Sequence, residues 1–227
     1  MIKYLHILLA IIFIWILNTV GFSQRNIPDS LVKYTPEYKF TDGIFLNFQQ
    51  VKANCAIKKQ NIFFDKKVDD FNYFERLLDE NVIKYYDSDK KQVEVLTRSI
   101  WGYADKGMLY IRWTDEFYRV FYIGTVCHFI AYENVYRSNY NDPFMYSDPF
   151  YSSMRAPIQS KEMRQFFLDF ETGQVIEYGI NNFMTILMRD KDLYDEYIQL
   201  NKRKKRQMMF LYLRKFNEKH PLFLPVN

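Results

Sequence analysis

From Asn81 to Tyr132 the chain repeats one pattern, a short apolar segment, a turn, then another apolar segment. "NVIKYY" and "QVEVLT" flank "DSDK"; "SIWGYA" and "MLYIRW" flank "DKG"; "FYRVFYI" and "TVCHFIAY" meet at Gly124. Connections this short join antiparallel neighbours, because a parallel crossover needs a dozen or more residues. Six such segments in roughly fifty residues predict an antiparallel meander. Gly107 is placed to take the positive φ of a tight hairpin. "RQFFLDF" and "QVIEY" flank "ETG", a further hairpin with Gly173 at the tight position.

The flanks read differently. "DGIFLNF" (42–48) is a strand entered through Gly43, and "FQQVKAN" is a single helical turn. "DDFNYFERLLDEN" spaces Phe71, Phe74, Leu77 and Leu78 at helical intervals. Near the C-terminus, Asn181 or Asn182 caps a short helix to Leu187, and Asp190 caps a longer one that runs toward Lys219. Asp192, Asp195 and Glu196 suit the positive end of that helix, and Arg214, Lys215 and Lys219 the negative end. Pro221 ends it. The 21 Phe and 19 Tyr supply rings that bury well in sheets. The expected fold class is α+β, mainly an antiparallel β meander, as a curved sheet or partial barrel, covered by the C-terminal helices.

The expected organisation is a signal peptide at 1–23, an extended tail at 24–39, and one domain over 40–220. "MIKYLH", the apolar run Ile7–Leu17, and "NTVGFSQ" give a basic start, an apolar middle and a small-residue exit. That run is 11 residues, well short of the roughly 20 a spanning helix needs. An exported protein results, in the periplasm, outer envelope or extracellular space, with membrane contact only through an N-terminal segment left uncleaved. Outside the cytoplasm Cys55 and Cys127 can form a disulfide, and two unrelated thiols are the alternative. Residues 133–157, rich in Asn, Asp, Ser and Tyr, read as a long surface loop with a near-repeat, "DPFMY" and "DPFY".

Chemistry is sparse. Beyond the leader there are two histidines, His128 and His220, and no HExxH, CxxC, GxSxG or GxxxxGK[ST] pattern. No metal, cofactor or catalytic residue is therefore expected. Asp105, Asp115, Glu116, Asp169 and Glu171 lie in or beside strands and keep a carboxylate pair open, as in glycoside hydrolysis. Trp101 and Tyr103 are read on one strand face, and Leu109, Ile111 and Trp113 on one face of the next. These rings either pack a core or form a platform for sugar or peptide. Trp101, Tyr103 and Trp113, with Tyr140, Tyr146 and Tyr151 of the loop, are the candidate ligand-binding residues. Lys202, Arg203, Lys204, Lys205 and Arg206 form a basic surface in mid-helix; at about 100° per residue they point all around its axis. A net charge of +4 says little about partners, and export removes nucleic acid as a target for the basic run.

"DGIFLNFQQVKAN", "WGYADKGMLYI", "FLDFETGQVIEY" and "FLYLRKFNEKHPLF", in that order, resemble a group of exported proteins of Bacteroidota-type bacteria with no established activity. The resemblance implies an exported, single-domain envelope or extracellular protein and transfers no catalytic residue. Cys55 stands where that pattern has a proline. The expected function is a non-enzymatic binding or envelope-associated protein, with the 133–157 loop as contact surface and an envelope protein or polysaccharide as partner. The alternatives are a carboxylate-dependent hydrolase acting on glycans, and a structural or assembly partner that docks through the C-terminal helix.

Overall fold

The computed structural model describes residues 30–65, 70–137 and 158–226. The compact unit begins at Val32. Its centre is a seven-stranded sheet built from β2 (Gly43–Phe45), β6 (Gly102–Asp105), β7 (Met108–Trp113), β8 (Glu116–Tyr122), β9 (Val126–Arg137), β10 (Ile158–Asp169) and β11 (Val175–Glu177). The order is β11-β10-β9-β8-β7-β6-β2, each pairing is antiparallel, and the sheet is open rather than closed into a barrel. A three-stranded sheet adds β3 (Ile62–Phe63), β4 (Val82–Tyr86) and β5 (Gln92–Leu96). β1 (Leu31–Lys33) pairs with β12 (Phe223–Pro225). The helices are α1 (Phe48–Lys52), α2 (Tyr73–Leu78), α3 (Ile180–Leu187), α4 (Lys191–Ile198) and α5 (Lys202–Lys219).

Local chemistry explains the turns. Lys106 and Gly107 have φ of 52° and 76°, the paired left-handed residues of a tight hairpin turn between β6 and β7. Gly173, at 79°, turns β10 into β11. β9 and β10 are far longer than their sequence segments suggested, with twelve residue pairs in register from Ile158↔Arg137 to Asp169↔Val126. Glu133–Arg137, expected in the loop, is strand, paired in register with Ile158–Glu162 of β10.

Alternation along these strands feeds three cores. One face of the sheet holds Phe45, Leu109, Ile111, Cys127, Phe129, Phe166 and Leu168, closed over by Phe40 and Leu224. The opposite face divides. At the β9–β10 end Val126 and Phe167 meet Phe183, Leu187, Tyr197, Leu213 and Phe216 of the three C-terminal helices. At the β2–β6 end Ile44 and Tyr103 meet Tyr73, Phe74, Leu77 and Ile83. Residues expected in an N-terminal tail are part of the first core: Tyr34 donates its N–H to the Leu222 carbonyl at 2.8 Å, and the Tyr38 hydroxyl donates to the Pro225 carbonyl at 3.0 Å. That core also extends the domain past residue 220.

The expected single helix from Asp190 to Lys219 is two. Asp190 caps α4, accepting the Leu193 N–H at 3.0 Å, and Asn201 caps α5, accepting the Lys204 N–H at 2.9 Å. A side chain that satisfies orphan amides at residue 201 starts a new helix there. Two polar clamps tie the helices to the sheet. The Asn217 amide donates to the Val126 carbonyl at 2.8 Å and accepts the Val126 N–H at 2.9 Å, so a side chain completes both main-chain bonds of a fully buried residue. Gly124 makes room for it, since a Cβ there would lie 2.4 Å from Asn217 Nδ2. Asp190, 8% exposed, also accepts from Lys219 Nζ and pairs with His220 Nε2, each at 2.9 Å. Burial would raise its pKa, but the Leu193 N–H, Lys219 and His220 together hold it down at about 2.

Two outcomes are expected. Asn217→Ala leaves the Val126 N–H and C=O buried without partners and lowers unfolding stability by about 2–4 kcal/mol in urea titrations. Asp190 has a lower pKa folded than unfolded, so its contribution is complete above about pH 4 and is lost as pH falls toward 2. The stability gap between the wild type and Asp190→Asn should therefore narrow between pH 5 and pH 2, read by denaturation at each pH.

Candidate functional site

β8 changes partner along its length. Glu116–Arg119 pairs with β7. The ladder to β9 then consists of Val120↔Phe129 and Tyr122↔His128, with a register shift between them. Beyond Phe129 no further pairing joins β9 to β8 among the described residues, and side chains bridge the two strands. Trp113 Nε1 donates to Glu133 Oε1 at 2.9 Å. The Tyr118 hydroxyl shares its proton between Glu116 Oε2 at 2.8 Å and the Tyr132 carbonyl at 3.0 Å. Lys161 Nζ pairs with Glu116 Oε1 at 2.7 Å.

Across β10 the same row continues. Arg164 lies 3.4 Å from Glu133, 3.9 Å from Glu162 and 3.2 Å from Glu177 of β11. The register puts these charged residues on the face that carries Phe129 and Phe166 lower down, so the strip begins where that core ends. Trp113 marks the boundary, with its ring centroid 4.8 Å from that of Phe166. The strip is accessible, with side-chain exposures of 37% for Arg164, 24% for Glu133 and 59% for Glu177. Among the described residues it holds four carboxylates against two cations.

The electrostatics follow from the partners. Lys161, then the Tyr118 hydroxyl, hold the Glu116 carboxyl below its ordinary range. Burial, then the bond to Glu116, push the Tyr118 phenol up to about 12. Thr114, between Trp113 and the Asp115–Glu116 pair, has φ of 55°, a conformation that β-branched residues rarely adopt. Backbone held in this region at a turn is a feature that concentrates at functional sites.

The sequence-derived candidates separate. Trp113 is in the strip. Trp101 packs against Phe48, ring centroids 5.4 Å apart, at the edge of the first core. Tyr103 stacks between Tyr110 and Phe74 in the third core, on the other side of the sheet. The expectation that Trp101 and Tyr103 share a face fails because the backbone is pinched between them. A Cβ on Gly102 would sit 2.3 Å from the Tyr110 carbonyl oxygen, and Trp101 lies just before β6 begins. Leu109, Ile111 and Trp113 do share a face. Tyr140, Tyr146 and Tyr151 lie outside the described residues.

Cys55 and Cys127 are not joined: Cys55 is exposed after α1, while Cys127 is buried in the first core, where burial pushes its thiol up to about 12. His128 bonds Gln165 Oε1 through Nε2 at 2.9 Å, and burial lowers its pKa against that bond. Lys202–Arg206 open α5 instead of occupying its middle. Glu133, Glu162, Arg164 and Glu177 were absent from the sequence candidates. Their signal was the alternation of "AYENV" and "SKEMRQFF", legible as strand only once β9 and β10 are known to be twelve residues long.

A cleft of about 430 Å³ lies on the other side of the β7–β8 turn, beside Arg112. There the guanidinium donates to the Thr97 carbonyl at 2.8 Å and the Thr114 carbonyl at 3.2 Å, and its Nη2 lies 3.8 Å from Asp115 Oδ1. Among the described residues no group of three or more His, Cys, Asp or Glu is placed to hold a metal ion, and no helix is long and apolar enough to cross a membrane. Fold and site together define an open antiparallel sheet, helix-covered on part of one face, with a charged, aromatic-bordered strip on the other. No protein family, curated protein or solved structure matches the chain.

Relieving the turn strain tests its origin. Thr114→Gly should raise stability by about 0.5–1 kcal/mol in chemical denaturation if left-handed backbone is the dominant cost there.

Proposed function

We propose that the protein is an exported, non-enzymatic binding protein of the cell envelope that takes a hydroxyl-rich ligand, of the polysaccharide type, on the Trp113–Glu133–Arg164 strip. The observation that carries the reading is this row. An indole, a phenol, carboxylates and a guanidinium stand side by side on an accessible sheet face. Aromatic edges flanked by fixed hydrogen-bonding groups suit a ligand with hydroxyls on its rim and C–H groups on its faces. Export is supported by the order of charge, apolar run and small residues in the first 23 residues.

The glycan hydrolase reading has one observation in its favour, since Glu116 and Glu133 both border the Tyr118–Trp113 pair. Its chemistry is weaker. A general acid must keep its proton near neutral pH, and Glu116 is held the other way.

The test is a binding screen of residues 24–227 against envelope polysaccharides, run beside an assay for reducing-end release. Binding without release is expected. Arg164→Ala and Trp113→Phe, the second keeping the ring but losing the Nε1 donor, should each weaken that binding about tenfold, since each removes a hydrogen-bonding group. Release that disappears in Glu133→Gln would replace the proposal with the hydrolase.

A further inference from the structure

Helix α5 breaks a rule of helix electrostatics. Its first five residues are Lys202, Arg203, Lys204, Lys205 and Arg206, and its first turn contains no acid. Cations there face the positive end of the helix dipole. Two acids of α4 are engaged elsewhere: Asp192 pairs with Lys219 at 3.4 Å and Glu196 with Lys215 at 3.1 Å, both in the C-terminal half of α5. Among the described residues no carboxylate pairs with Lys202–Arg206. Lys205 alone is half-buried, with its ammonium 6.0 Å from the Tyr197 ring centroid and its carbonyl accepting the Tyr197 hydroxyl at 2.8 Å. The other four are exposed. So among the described residues the cost of gathering these charges has no compensation.

Apolar groups stand on the same side. Phe210 lies one turn beyond Arg206, on the same stretch of helix surface. It is 41% exposed although its ring meets those of Tyr122 and His128. The sheet face that presents His128 continues up β9 and β10 to the pair Tyr132↔Met163, which are 45% and 59% exposed.

We propose that this side of the protein, the basic start of α5 with Phe210, Tyr132 and Met163, docks on an anionic lipid bilayer. Guanidinium and ammonium groups meet headgroup phosphates, while the rings and the thioether enter the boundary with the acyl chains. A soluble polyanion would use the cations and leave the apolar groups without a role, which is why a bilayer fits better. The inference rests on the exported, envelope-associated reading but uses a different surface from the Trp113 strip, so each can fail alone.

The experiment is co-sedimentation of residues 24–227 with vesicles of phosphatidylglycerol and phosphatidylcholine, against phosphatidylcholine alone. This chain holds the compact unit beginning at Val32 and omits the apolar leader, which could partition by itself. Binding at least about tenfold tighter to the anionic vesicles is expected, weakening between low salt and about 0.5 M salt. Lys202→Glu combined with Lys204→Glu should abolish the preference; both are exposed and acids suit that helix end, so folding is retained. Phe210→Ala combined with Met163→Ala should lower anionic-vesicle binding about threefold or more at unchanged salt sensitivity. Equal binding to both vesicle types overturns the proposal. So does full retention of binding by the Phe210 and Met163 variant together with equally tight binding to soluble dextran sulfate, which would make the surface a polyanion site. Loss of polysaccharide binding in the Trp113 and Arg164 variants with vesicle binding intact would separate the two surfaces.

Discussion

The β9–β10 hairpin is a wall between two cores, and the rest of the molecule depends on its register. Phe129 and Phe166 face one core while Phe167, one residue on, faces the other. A slip of one residue would exchange every side chain between the faces, so the pairing is specified by burial on both sides at once. The Asn217 amide, bonded to both main-chain groups of Val126, holds α5 at one height on this wall. Thr125 adds a hydroxyl bond to the His220 carbonyl at the end of the same helix.

The same long hairpin creates the candidate site. Because β9 and β10 outrun the short ladder to β8, their upper halves rise past the core. Strand side chains there cannot be apolar on both faces without exposing a large patch. One face carries carboxylates and Arg164, and Trp113 and Tyr118 bridge back to β7 and β8 with hydrogen bonds where ladder bonds are lacking. The other face carries Tyr132 and Met163, further along β9 and β10 from the His128 ring that meets Phe210 of α5. A charged strip and an exposed face bearing Tyr132 and Met163 thus arise on opposite sides of one extended hairpin.

Much of the fold was legible. Short Gly and Asp turns between alternating segments specify antiparallel neighbours, and Gly107 and Gly173 take the positive φ their positions suggested. The cap at Asp190 and the helical spacing of Phe74, Leu77 and Leu78 also read correctly, while Phe71, expected with them, lies before the helix and is exposed. The break at Asn201 was missed because a run of good helix formers conceals a cap when no Gly or Pro accompanies it. The shared face of Leu109, Ile111 and Trp113 was legible, but the hydrogen-bond partner of Trp113 was not. Glu133, Glu162, Arg164 and Glu177 come from three strands, and spacing within one strand carries no information about which neighbour faces it.

By itself, then, the amino-acid order determined the elements, their antiparallel pairing and the abundance of rings, because these depend on turn conformation and period-two patterning, which are local. Only the tertiary structure decided which rings meet, that Trp101 and Tyr103 part to opposite sides, that Cys55 and Cys127 stay apart, and that the five cations open a helix. Those depend on strand length, ladder register and a close backbone approach at Gly102, quantities set by packing across the whole chain.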